Sequence, residues 1–295
     1  MSPRQRAIRI VLTLEAVWFA LLAGVMLDVS AHRRDDPLVI NQFGYRGPAR
    51  ASKRAVERRV IIVGGSAAFS ADTPWPLTLG PALVQAMNII KGASDEAPFA
   101  DVQNVAEQLA GADTYVEALK DYDYLRPDLV MVYDGYDPVG NQFAGRRHSW
   151  LFRSLGYFPI LVGSGRQLAH VEHGISALLA DNATPVDDPS CSGASASYCA
   201  AMVATARLAL ASRQAVVVVT PPYVTMQHER QQQSLATELA RVFEGVARFR
   251  HVNLGRTIDL HDPSLSRDGV HTTSTANRII AQALARPIVA LLDSR

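Results

Sequence analysis

A doubly wound parallel α/β sheet behind one N-terminal membrane-spanning helix is the fold class that this 295-residue sequence predicts. Three observations carry the prediction. Five short apolar runs alternate with longer stretches of helical periodicity. Those runs are apolar almost throughout, as strands are when helices cover both faces of a sheet. Residues 10–27 form an apolar stretch in which Glu15 is the only charge. A hydrophobic content of 48% over this length is enough to bury the core of one sizeable domain.

In chain order, "IVLTLEAVWFALLAGVML" comes first and rises about 27 Å as a helix, close to one bilayer core. Arg4, Arg6 and Arg9 precede it, whereas Arg33 and Arg34 beyond it are offset by Asp35 and Asp36. The positive-inside rule therefore puts Met1 in the cytoplasm and the rest of the chain on the far side, the periplasm of a bacterial inner membrane. The small residues "VSA" at 29–31 support a competing reading as a cleaved signal peptide. Residues 1–30 are thus read as cytoplasmic tip and anchor, 31–57 as a polar, basic connecting arm, and 58–295 as the folded domain.

Within that domain the strands are "RVIIVGG", "APFADVQNV", "PDLVMVYDG", "QAVVVVTPP" and "RFRHVNL". The helices between and after them are "LTLGPALVQAMNII", "EQLAGADTYVEALKDY", "SYCAAMVATARLALASR", "QHERQQQSLATELARVFEG" and "TSTANRIIAQALARPIVALL". Residues 137–190 break the alternation and read as an insertion after the third strand, a cap or a partner surface. Cys191 and Cys199, eight positions apart, can close a short disulfide in an oxidising compartment or stay as two thiols in a reducing one.

The near-equal balance of 29 basic and 28 acidic residues gives no field favouring nucleic acid. "GGSAAF" matches neither the phosphate-binding G-K-S/T loop nor the dinucleotide fingerprint, so no cofactor is expected. His170, Glu172 and His173 lie together, but a solvated helical patch explains them better than a metal site lacking a third spaced ligand. No metal is expected.

Chemistry concentrates at two places. Ser66 follows "VIIVGG", where two glycines let the chain turn sharply off a strand and into a helix. The fuller G-x-S-x-G elbow fails at Ala68, which argues against an ordinary α/β-hydrolase. Near the C-terminus, "DGVH" places Asp268 and His271 in one turn just before the last helix. A serine nucleophile needs a base for its proton, and the base needs a carboxylate to hold its tautomer.

With these residues the sequence resembles the SGNH (GDSL-type) hydrolases over about residues 40–290. The resemblance rests on "NQFGYRG", "VIIVGGSAAFS", "PDLVMVYDGYD" and "DGVHTTSTANRIIAQAL". It implies a flavodoxin-like three-layer sandwich with sheet order 2-1-3-4-5. It also implies Ser66 as nucleophile, His271 as general base and Asp268 as the carboxylate orienting it. Two oxyanion positions depart from the pattern. Ala106 stands where a glycine is expected, and Asp137 replaces an asparagine; an ionised aspartate can accept but not donate a hydrogen bond.

The sequence therefore implies a membrane-anchored periplasmic serine esterase. The alternative is a catalytically impaired domain that serves as a subunit of a membrane complex, meeting the bilayer through its helix and other subunits through Glu15 and the insertion.

Overall fold

The computed structural model describes residues 2–31, 40–50, 53, 57–70, 73–134, 150–158, 191–192 and 195–294. Asp137, most of the 137–190 insertion and the His170–His173 patch lie outside them.

Five strands form one parallel sheet in the order β2-β1-β3-β4-β5, as the resemblance implies. They are β1 (Arg59–Gly64), β2 (Asp101–Asn104), β3 (Leu129–Tyr133), β4 (Ala215–Thr220) and β5 (Phe249–Asn253). Every residue of β1, β3 and β4 is buried, which is why these runs carry no polar alternation. Fully burying each of their valines and isoleucines contributes about 1.5–3 kcal/mol. The outer strand β5 instead exposes Arg250, a charge that discourages edge pairing.

The connecting helices divide between the two faces. On one lie α3 (Leu79–Lys91) and α8 (Ser274–Asp293), which pack along each other. On the other lie α4 (Tyr115–Asp121), α6 (Ala196–Ala211) and α7 (Met226–Val242). Two shorter helices, α2 (Ser66–Phe69) and α5 (Trp150–Leu155), complete the set with the N-terminal helix α1 (Pro3–Ala31).

The second domain helix is shorter than the sequence implies. Periodicity suggested a start near Glu107, but α4 begins at Tyr115, after a 3-10 turn at Ala112–Thr114. Leu109 is left-handed, at φ +60°, and no right-handed helix runs through such a residue.

α3 and α8 run parallel and are fastened at both ends. Near their start, Asn277 Nδ2 donates to Leu77 O (3.2 Å), and at their finish Lys91 Nζ meets Asp293 (3.0 Å). This pairing places the turn before α8 at the carboxyl end of the sheet, the same end at which β1 runs into α2.

α1 is long and apolar enough to cross a membrane, and none of its most apolar stretch is buried among the described residues. Its far end is tied down, because the Tyr157 hydroxyl donates to the buried Asp28 carboxylate. Cys191 and Cys199 are joined as a disulfide at the start of α6.

Candidate active site

β1 ends at Gly64, where a Cβ would sit 2.1 Å from Tyr133 O. Only glycine fits there, and the close approach of β3 forces the chain to leave the sheet at Gly65. Ser66 is the first residue of α2, where backbone amides are not consumed by the helix's own ladder. Its side chain is half-buried.

Two buried side chains hold this short helix. Asn104, at the end of β2, donates to Ala68 O (2.6 Å). Arg46, 1% exposed, donates to Phe69 O (2.6 Å), Ser70 O (2.5 Å) and Thr73 O (2.8 Å), and its guanidinium lies 5.1 Å from the Phe69 ring centroid. The carbonyls at the end of a helix have no intrahelical donor, and a cation at that point also suits the helix dipole. "NQFGYRG" thus contributes a clasp beneath the serine turn.

The loop after β2 supplies an amide to Ser66, though not from the expected position. Ala106 N–H donates to Asn104 Oδ1 (3.0 Å), whereas Leu109 N–H donates to Ser66 Oγ (3.0 Å). Leu109 takes this pose with φ at +60°, a conformation costing an L-residue about 1–2 kcal/mol. No sequence signal marks a leucine for that conformation. The available hint was the glycine that the resemblance calls for in this loop.

Asp268 and His271 form one tight turn. Gly269, at φ +78°, lets the chain reverse. Asp268 Oδ1 then accepts Val270 N–H (2.9 Å) and His271 N–H (2.7 Å), while Oδ2 meets His271 Nδ1 at 2.5 Å. Burial alone would push the Asp268 carboxyl up. The hydrogen bonds from the His271 ring and amide and from Val270 N–H outweigh it and hold the carboxyl well below the usual carboxylate range. It is therefore ionised at neutral pH, and Nδ1 carries the ring proton. Nε2 remains as the ring's proton acceptor.

The turn is braced from outside as well. The Ser266 hydroxyl donates to His271 O (2.8 Å), Thr272 Oγ1 to Asn277 Oδ1 (2.7 Å), and Thr273 Oγ1 to Ser264 O (2.7 Å). A cavity of about 110 Å³ opens against Asp268 and His271, with Thr73, Pro74 and Leu77 on its other wall. Thr73 is also held by Arg46, which grips the end of α2 at Phe69 and Ser70, so the serine turn and the histidine turn share a neighbour at Thr73. His261 is exposed and its amide donates to Asp259 Oδ1 (2.9 Å), which is turn chemistry.

No family model matches the sequence, and no curated protein does. Solved structures similar to the chain include the psychrotrophic esterase EstA from Pseudoalteromonas sp. This match has 10% identity and a TM-score of 0.48, and covers 80% of this chain and 100% of the other. A member of the lipolytic protein G-D-S-L family from Veillonella parvula matches at 9% identity and a TM-score of 0.47, over 78% and 97%. The C-terminal catalytic domain of peptidoglycan O-acetyltransferase A from Streptococcus pneumoniae matches at 11% identity and a TM-score of 0.40, over 81% and 97%. By its own sheet order and helical layers the chain has a flavodoxin-like three-layer α/β fold.

Proposed function

We propose that the chain is a membrane-anchored serine hydrolase of the SGNH type that cleaves carboxylic esters, with α1 in the inner membrane and the folded domain in the periplasm. The observation that carries this reading is the Asp268–His271 pair. Its ionised carboxylate fixes the imidazole tautomer, at the same end of the sheet as a strand-turn serine whose Oγ receives a backbone amide.

In this mechanism Ser66 Oγ attacks the ester carbonyl carbon while His271 Nε2 takes its proton, and Asp268 stabilises the imidazolium. The oxyanion of the tetrahedral intermediate is received by the N–H groups of Leu109 and Ser66, where loss of one donor typically costs about 10²–10³ in rate. Collapse expels the alcohol, which takes the proton back from His271. Water then attacks the acyl-serine by the same route and releases the acid. Ala106, with its amide on Asn104 Oδ1, supports the loop in this scheme.

The excess of arginine at the start of α1, at Arg4, Arg6 and Arg9, supports the orientation, and the Cys191–Cys199 bond suits an oxidising compartment. An acyl group carried on a glycan or lipid at that membrane surface fits such a placement. The test is hydrolysis of p-nitrophenyl acetate, butyrate and octanoate by the full chain in mild detergent. Turnover that Ser66→Ala abolishes supports the reading. A folded chain with no turnover on any of them, recovered bound to other membrane proteins, would favour the assembly-subunit alternative.

A further inference from the structure

α1 meets the folded domain with no spacer between them. Leu27 closes the apolar stretch, and Asp28, the next residue, is already buried against the domain, where its carboxylate accepts the Tyr157 hydroxyl. Where α1 crosses a bilayer, Tyr157 therefore sits at headgroup level, the depth at which tyrosine rings are enriched.

Short contacts lead from this point to the catalytic cavity. Phe158, beside Tyr157, donates its amide to Gln42 O (2.9 Å), and its ring lies 3.0 Å from where a Cβ at Gly44 would stand. From Gly44 to Gly47 is three residues, a reach of at most about 11 Å. The Trp75 ring lies so close against Gly47 that a side chain there would collide with it. Trp75 opens a 3-10 turn, Trp75–Leu77, and Pro74 and Leu77 form the apolar wall of the cavity across from Asp268 and His271.

That turn presents apolar groups outward. Pro74 and Pro76 are exposed, Trp75 is half-buried, and Leu77 is 50% exposed. The pose is fixed, because Leu77 N–H donates to Pro74 O (2.9 Å), Thr78 Oγ1 donates to Trp75 O (2.8 Å), and Leu77 O accepts Asn277 Nδ2. On the opposite lip Arg267 is exposed, with no hydrogen bond or ion pair among the described residues. An apolar rim faced by a guanidinium suits lipid, whose acyl chains meet the one and whose phosphates meet the other. Ile89 and Ile90 are exposed as well, but they lie at the far end of α3, beside Lys91.

We propose that the Pro74–Leu77 rim rests on the bilayer that α1 crosses, so that the catalytic cavity opens at the lipid surface and takes esters presented there. The contact rests on the reading of α1 as an anchor, and the choice of ester on the reading of Ser66 as a nucleophile.

The test uses the full chain in phosphatidylcholine nanodiscs. Its two cysteines are joined to each other, so a cysteine introduced elsewhere is the sole site for a nitroxide label. Labels at Leu77→Cys, Ile89→Cys and Leu21→Cys are compared by collision with oxygen, which concentrates in lipid, and with a nickel chelate, which stays in water. Residue 77 is expected to settle about 5–10 Å into the headgroup and acyl boundary, residue 21 in the bilayer core and residue 89 in water. Nickel access at residue 77 equal to that at residue 89, with residue 21 in lipid, overturns the proposal and leaves the anchor standing. Nickel access at residue 21 overturns both. Pro76→Cys gives the same comparison should Leu77→Cys fail to fold. As a second arm, Pro76→Asp sets a charge on the rim. It is expected to reduce turnover of nanodisc-embedded p-nitrophenyl palmitate at least about tenfold more than turnover of p-nitrophenyl acetate, since the charge resists leaving water. Equal losses on the two esters would overturn the lipid-surface substrate. If the unaltered chain turns over neither ester, the hydrolase reading fails instead, and the labels still decide the contact.

Discussion

Replacing Asp268 with asparagine separates its orienting role from its bulk. The carboxylate has two distinct jobs in the turn. Oδ1 accepts two backbone amides, from Val270 and His271, and Oδ2 accepts the ring Nδ1–H. An asparagine has one acceptor and one donor, and the two amides require the acceptor. Its carbonyl oxygen therefore takes the Oδ1 position, and its NH₂ group falls opposite His271 Nδ1. The imidazole must then carry its proton on Nε2, where it can no longer take one from Ser66. The expected loss is about 10³–10⁴ in kcat/KM, equivalent to about 4–5.5 kcal/mol of barrier. The turn keeps its two backbone hydrogen bonds, so the melting temperature should fall by only a few degrees. Stopped assays with p-nitrophenyl acetate, alongside near-ultraviolet circular dichroism, read both quantities. Wild-type turnover in a folded Asp268→Asn protein would refute the assignment of Asp268.

Three further outcomes follow from the geometry. Leu109→Gly removes the left-handed penalty but also a half-buried side chain, so stability should change by no more than about 1 kcal/mol while ester turnover persists. Leu109→Val, β-branched and strongly disfavoured at φ +60°, should displace the amide and reduce turnover at least tenfold; equal rates for the two variants would remove Leu109 from the site. Arg46→Met leaves three buried carbonyls without their donor and should cost at least about 3 kcal/mol, lowering the melting temperature by about 6–12 °C. His228 is buried at the start of α7, and burial pushes its pKa from 6.5 down to about 4. The unfolded chain then binds more protons between those values, so stability falls as pH drops from 6.5 towards 4, by about 3 kcal/mol in full. His251 is shifted the same way by burial. Urea titrations at several pH values should show that slope, and His228→Gln should flatten it.

The strands were legible because each is buried on both faces and so appears as an uninterrupted apolar run. The Asp268–His271 turn was legible because its chemistry lies within four consecutive residues. Leu109 was not: its role depends on a backbone angle that leucine adopts only under constraint, and the resemblance points to Ala106 instead. Arg46 lies within "NQFGYRG" with nothing in the sequence to mark its role, because that role depends on three carbonyls brought to it from Phe69, Ser70 and Thr73 by the fold.

The central claim is that Ser66 is a nucleophile activated by His271. The most direct measurement is treatment of the full chain in mild detergent with a fluorophosphonate, followed by mass spectrometry of its peptides. The account predicts one phosphonyl adduct on the peptide containing Ser66, absent in Ser66→Ala and formed at least a hundredfold more slowly in His271→Ala. A folded protein that stays unmodified, or is modified equally fast without His271, would contradict it.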